Sequence, residues 1–226
     1  MPPRLPATLG LGLSLAVQHC AWHADCAEEQ PSLFAKAGGG IAFLEMNNAY
    51  SPEDQGSHET IFDLELSGRG YSAEAALGLP LTKRTVLGLA YYWVAMPQSL
   101  SSGTFSLLYF EQGERGASGS VKLELLGPML LGFFDRGHRV HGHVSVGYAS
   151  VSYDADYRTT PQSGDGRLRT GHHEGVGVAL GTGYRFAFSK RFAFGPGLWF
   201  ILASVGDESH PGSARAAALT VSASMY

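Results

Sequence analysis

Val176-Gly177-Val178-Ala179-Leu180-Gly181-Thr182-Gly183-Tyr184-Arg185-Phe186-Ala187-Phe188 sets large apolar residues at nearly every second position. Between them stand Gly177, Ala179, Gly181, Gly183 and Arg185. Side chains of an extended chain alternate between two faces, so the stretch reads as a strand with one greasy face and one nearly bare. Its 13 residues exceed the roughly 9 to 11 that a tilted strand needs to cross a bilayer. Downstream, Phe192, Phe194, Leu198, Phe200 and Leu202 repeat the greasy face, opposite Ala193, Gly195, Gly197, Trp199 and Ala203. Only a tight turn fits at Ser189-Lys190, so the two strands run antiparallel. Upstream, Leu87, Leu89, Tyr91 and Trp93 share one face, and Gly88, Ala90, Tyr92 and Val94 the other.

The same pattern predicts eight strands, near 34–46, 69–80, 84–96, 117–134, 139–153, 173–188, 191–205 and 214–226. The turns at Leu81-Thr82-Lys83, Asp135-Arg136-Gly137-His138 and Ser189-Lys190 are short, whereas the connections 47–68, 97–116, 154–172 and 206–213 are long and polar. Alternating short turns and long loops fit a membrane barrel with its turns in the periplasm and its loops outside. Eight strands then bring both termini to the periplasmic side. One region breaks step: Phe62, Leu64 and Leu66 are even-numbered, Tyr71, Ala73, Ala75, Leu77 and Leu79 odd. Either a β-bulge near Gly68-Arg69-Gly70 adds a residue and re-aims the strand, so that the second strand extends above the membrane surface, or the segment is an irregular loop.

Composition narrows the class. The 226 residues include 30 Gly, 12 Phe and 10 Tyr with 16% charged residues, against roughly 25% in an ordinary soluble domain. No apolar run approaches a membrane helix, so any crossing is made by strands. A net charge of −4 without a basic cluster argues against nucleic acid. Arg4 followed by the apolar run 5–17 reads as a cleaved signal peptide within 1–27, leaving a barrel domain at 28–226. Cys20 and Cys26 fall in or beside that leader, so no disulfide framework is expected. A soluble eight-stranded carrier is the structural rival, but it would show water a charged skin, and here the bare faces are Gly, Ala and Ser. Such faces suit a narrow lumen. The expected fold class is all-β: a single up-and-down antiparallel transmembrane β-barrel of about eight strands.

Ala75-Ala76-Leu77-Gly78, Leu125-Leu126-Gly127-Pro128, residues 175–184 and the aromatic end Met225-Tyr226 carry a family likeness. Through them the chain resembles the small eight-stranded outer-membrane β-barrel proteins of Gram-negative bacteria. The resemblance spans about 34–226 and implies an outer-membrane location, surrounding lipid and lipopolysaccharide, and insertion by the barrel-assembly machinery. Tyr226 would be its assembly signal, out of phase with Leu219, Val221, Ala223 and Met225.

By parity Lys36, Glu74, Lys122, Glu124, His141, His143 and Arg185 are expected inside, as a lumenal ionic network that plugs the barrel. Tyr71, Trp93, Tyr148, Tyr153 and Phe188, near strand ends, are candidate girdle aromatics. His143-Val144-Ser145 is similar to the His-x-Ser arrangement of outer-membrane lipid A deacylases, with Glu174 as a possible third member, but it falls on the lumenal face. His138, His141 and His143 lie far from His172-His173 and match no zinc spacing, so neither metal nor cofactor is expected. The loops show no phosphate-binding or calcium pattern, which leaves an extracellular partner unassigned. The expected role is structural or interactional rather than enzymatic. A narrow conduit for small or hydrophobic solutes and a lipid A-modifying hydrolase are the alternatives.

Overall fold

Strand-forming alternation runs from Phe34 onward, and the computed structural model describes residues 33–49, 61–107, 115–135, 137–158, 165–189, 191–206 and 211–225. Its strands are β1 (Phe34–Ala49), β2 (Ile61–Thr82), β3 (Thr85–Met96), β4 (Ser101–Leu107) and β5 (Arg115–Phe133). There follow β6 (Val140–Arg158), β7 (Asp165–Tyr184), β8 (Phe186–Ala187), β9 (Phe192–Gly206) and β10 (Pro211–Met225). Each pairs antiparallel with its neighbours, and β1 pairs with both β2 and β10, so the sheet closes on itself. Closure removes every edge along which the sheet could pair with another chain.

Among the described residues the ring has eight positions, because two of them are shared. β8 continues β7 against β9 without a register change, from Gly183↔Gly197 to Phe186↔Phe194. β4 continues β3, but a 3-10 turn at Gln98–Leu100 intervenes. Three steps along β2, from Tyr71 to Gly68, face six from Ala95 to Ser101, so the turn absorbs three extra residues.

The barrel inverts its amphipathicity along its length. Toward the short turns the outer face carries exposed Leu77, Leu79, Leu87, Leu89, Leu180, Phe194 and Phe200. Toward the long loops the outer face turns polar, at Glu65, Ser67 and Arg69, and the apolar side chains move inside, as Leu44, Met46, Leu64, Leu66, Leu123 and Val151. The lower wall is built for lipid and the upper wall for water. This corrects the expected bulge at Gly68-Arg69-Gly70: β2 pairs with β1 in one register from Phe34↔Gly78 to Ala49↔Asp63. Even-numbered positions from Leu64 to Gly78 stay inside, and only the environment outside the wall changes. Strands therefore outlast the membrane: β2 extends above it, one of the two readings open for 61–68, and β4 with the upper parts of β6 and β7 occupies stretches expected as loop.

At the short-turn end, Asp135 closes the β5–β6 hairpin. Its Oδ1 accepts hydrogen bonds from the backbone N–H groups of Arg139 at 2.7 Å and Val140 at 2.9 Å. His138 takes the left-handed backbone conformation there, φ 53°. Desolvation raises the Asp135 carboxyl, but the N–H groups of Val140 and Arg139 outweigh it and hold the group below its ordinary value.

Candidate functional sites in the lumen and on the outer wall

Five of the seven expected lumenal groups do face inward and are buried. Lys36 Nζ meets Glu74 Oε2 at 3.0 Å, and Thr220 donates its hydroxyl to Glu74 Oε1 at 3.2 Å. Arg185 donates from Nε to Ser224 Oγ at 2.8 Å and from Nη1 to the His138 carbonyl at 3.3 Å. Its guanidinium also lies 5.4 Å from the centre of the Phe133 ring. The His141 and His143 rings stack 6.4 Å apart, His143 stacks on Tyr92 at 5.9 Å, and Tyr92 meets the edge of Trp199 at 5.3 Å. Room for the two imidazoles comes from glycine on β7. A Cβ on Gly181 would stand 2.3 Å from His143 Cε1, and one on Gly183 2.7 Å from His141 Cε1. Both imidazoles have buried ring nitrogens with no hydrogen-bond partner among the described residues.

Lys122 and Glu124 do not join this group. They stand on the outer wall, ion-paired to each other at 3.0 Å, and Tyr91 donates its hydroxyl to Glu124. Parity failed in β5 because both its faces are apolar. The inner one, with Val121, Leu123, Leu125, Met129, Leu131 and Phe133, outweighs Leu126 and Leu130 outside. Tyr153 is also corrected: it is 3% exposed inside the barrel, stacked on His173 at 5.8 Å, and belongs to no girdle. Of the other girdle candidates, Tyr71, Tyr148 and Phe188 are exposed on the outer face and Trp93 is half-buried on it. Tyr226 and the 1–27 leader lie outside the described residues.

His143 and Ser145 are both buried in the lumen, and Ser145 donates to the Pro128 carbonyl at 2.9 Å rather than to an imidazole. The His-x-Ser arrangement therefore does not assemble. A different constellation assembles outside. Ser152 Oγ on β6 lies 2.9 Å from His172 Nδ1 on β7, and His172 Nε2 lies 3.3 Å from Glu174 Oε1. Cross-strand pairing of Ser152 with His172 creates the first contact, and two-residue alternation puts Glu174 on the same face as His172. Beside them Thr170 donates its hydroxyl to Asp154 at 3.1 Å. A groove of about 680 Å³ opens at this level, lined on the outer wall by Tyr71, Pro97, Lys122, Ser152, Thr170 and His172. Sequence reasoning missed it because Ser152 sits some 20 residues before His172, and no linear motif marks a register partner. The signal within reach was His172-His173-Glu174, whose first and third residues share a face.

A closed eight-position ring with a lipid-compatible outer band and polar upper rim defines the fold of a bacterial outer-membrane β-barrel. No family model matches the sequence, and no curated protein matches it. Among solved structures, the outer membrane protein OprG of Pseudomonas aeruginosa superposes with a TM-score of 0.50 at 10% identity, over 86% of this chain and 95% of that one. The outer membrane protease OmpT of Escherichia coli gives 0.47 at 8% identity, over 88% of this chain and 99% of that one. The attachment invasion locus protein Ail of Yersinia pestis gives 0.40 at 8% identity, over 85% and 99%. At these identities the likeness is one of fold.

Proposed function

We propose that the protein is an integral outer-membrane barrel whose lumen is closed by its own side chains, and whose loop-side rim is its surface for interaction. The observation that carries this reading is the filling of the barrel's cross-section. Tyr92, Trp199, Met129, Leu123 and Leu125 are each at most 2% exposed, beside the buried Lys36–Glu74 pair. An eight-stranded barrel is just wide enough for such side chains to fill. The same reading places lipid and lipopolysaccharide against the outer band and assigns insertion to the barrel-assembly machinery. In planar bilayers the purified barrel is expected to give no steady conductance. Trp199→Ala combined with Tyr92→Ala is expected to give discrete openings, because two of the bulkiest plugging groups are removed. Sustained single-channel currents from the unmodified protein would refute closure.

A further inference from the structure

The outer-wall constellation has the parts of a nucleophilic hydrolase. A serine hydroxyl lies within hydrogen-bond reach of an imidazole whose other nitrogen faces a carboxylate, the arrangement that activates a weak nucleophile. With Nε2 protonated, His172 donates to Glu174 and Nδ1 accepts from Ser152. Lys122, the register partner of Ser152 on β5, lines the same groove with its ammonium paired to Glu124.

Depth selects the substrate. Ser152 lies 12 residues above Val140, the first residue of β6 at the short-turn end. At about 3.3 Å per residue this is roughly 40 Å along the strand, and at a tilt near 40° roughly 30 Å along the membrane normal. The hydrocarbon core is about 30 Å thick. Below Ser152 and His172 the wall shows exposed Tyr148, Val146 and Val144 on β6 and Val176, Val178 and Leu180 on β7. Above them it shows Asp154 and Thr170. The serine hydroxyl thus sits at the boundary where acyl chains join their polar headgroups through ester bonds.

We propose that Ser152, His172 and Glu174 form a catalytic triad on the outer wall that hydrolyses acyl esters of outer-leaflet lipids. Ser152 Oγ attacks the ester carbonyl while His172 Nδ1 takes its proton, and the carbonyl electrons move to oxygen. Collapse of the tetrahedral intermediate breaks the ester C–O bond, and His172 returns the proton to the departing lipid alcohol. Water, activated by the same nitrogen, then attacks the acyl-Ser152 ester. Fatty acid leaves, and the serine regains its proton. Glu174 touches only His172 in this scheme and is a positioning residue. The activity requires the wall to face lipid and is independent of whether the lumen is closed.

Purified full-length barrel, folded as judged by heat-modifiable migration, is mixed in separate arms with phosphatidylethanolamine vesicles and with lipopolysaccharide, and released fatty acid is measured by mass spectrometry. Release is expected in at least one arm, which identifies whether a phospholipid or lipid A supplies the ester. Ser152→Ala and His172→Ala are expected to cut the rate at least about 1,000-fold, and lumenal Ser145→Ala to leave it unchanged. Glu174→Gln is expected to lower kcat with KM retained. Absence of release from folded protein in both arms, or release indifferent to Ser152→Ala, overturns the proposal; either leaves the conductance result untouched. Should Ser152→Ala fail to fold, a long-chain fluorophosphonate on the unmodified barrel decides. An adduct on Ser152 supports the triad, and an adduct elsewhere or none overturns it.

Discussion

Lys36 and Glu74 illustrate what a lumenal charge costs at the scale of single residues. Both are nearly inaccessible, at 7% and 5% exposure, and their 3.0 Å contact with help from Thr220 offsets a desolvation that neither would survive alone. Lys36→Met leaves the Glu74 carboxylate buried without its cation. Unfolding by urea from lipid vesicles is expected to show a loss of about 3–5 kcal/mol. The paired replacement Lys36→Met with Glu74→Met is expected to recover most of it, since apolar groups of similar volume need no partner there. A single variant as stable as the unmodified barrel would mean that water reaches the pair.

β2 carries the clearest record of the membrane at the scale of an element. One strand in one register has an apolar outer face at Leu77 and a polar one at Ser67, while its inner face runs from Glu74 to Leu66 and Leu64. Arginine placed along it should therefore be tolerated by zone. Leu77→Arg, on the lipid face, is expected to cost about 2–4 kcal/mol. Ser67→Arg is expected to lie within about 0.5 kcal/mol of the parent because that position faces water. Equal costs at the two positions would refute the inversion. The β5–β6 hairpin supplies a second element-scale expectation. The carboxyl of Asp135 is held below its ordinary value, so its stabilisation is complete above that value and fades as pH falls through the lowered one. Asp135→Asn is expected to unfold more readily than the parent at neutral pH, with the two converging in strong acid.

Stability is expected to be unequal around the whole molecule, even though the ring is continuous. β6 and β7 pair from Val140↔Tyr184 to Arg158↔Asp165, and β1 and β10 seal the ring from Ala35↔Met225 to Asn48↔Gly212. β4 pairs with β5 only from Gly103↔Ala117 to Phe105↔Arg115, after the 3-10 turn has displaced it. Hydrogen exchange in detergent is expected to release the β4 amides before those of β6, because β4 is held along its length by β2 alone, its β5 edge is paired only from Gly103 to Phe105, and none of it is shielded by lipid. Uniform protection across both strands would contradict this. The molecule is also zoned along its axis: a lumen occupied by side chains, an apolar band, and above it the level at which Ser152, His172 and Glu174 meet.

Hydrophobic alternation by itself determined the barrel, its short turns and the outward faces of β3, β7 and β9, because strict two-residue periodicity leaves few other structures open to so glycine-rich a chain. It also brought Lys36, Glu74, His141, His143 and Arg185 to one lumen. Only the tertiary structure decided the faces of Lys122, Glu124 and Tyr153, the unbroken register of β2 against β1, and the meeting of Ser152 with His172. The physical reason is common to these cases. Which face of a strand is greasy depends on whether lipid or water lies outside the wall at that height, and which residues become neighbours depends on cross-strand register. Neither is written in the local order of residues.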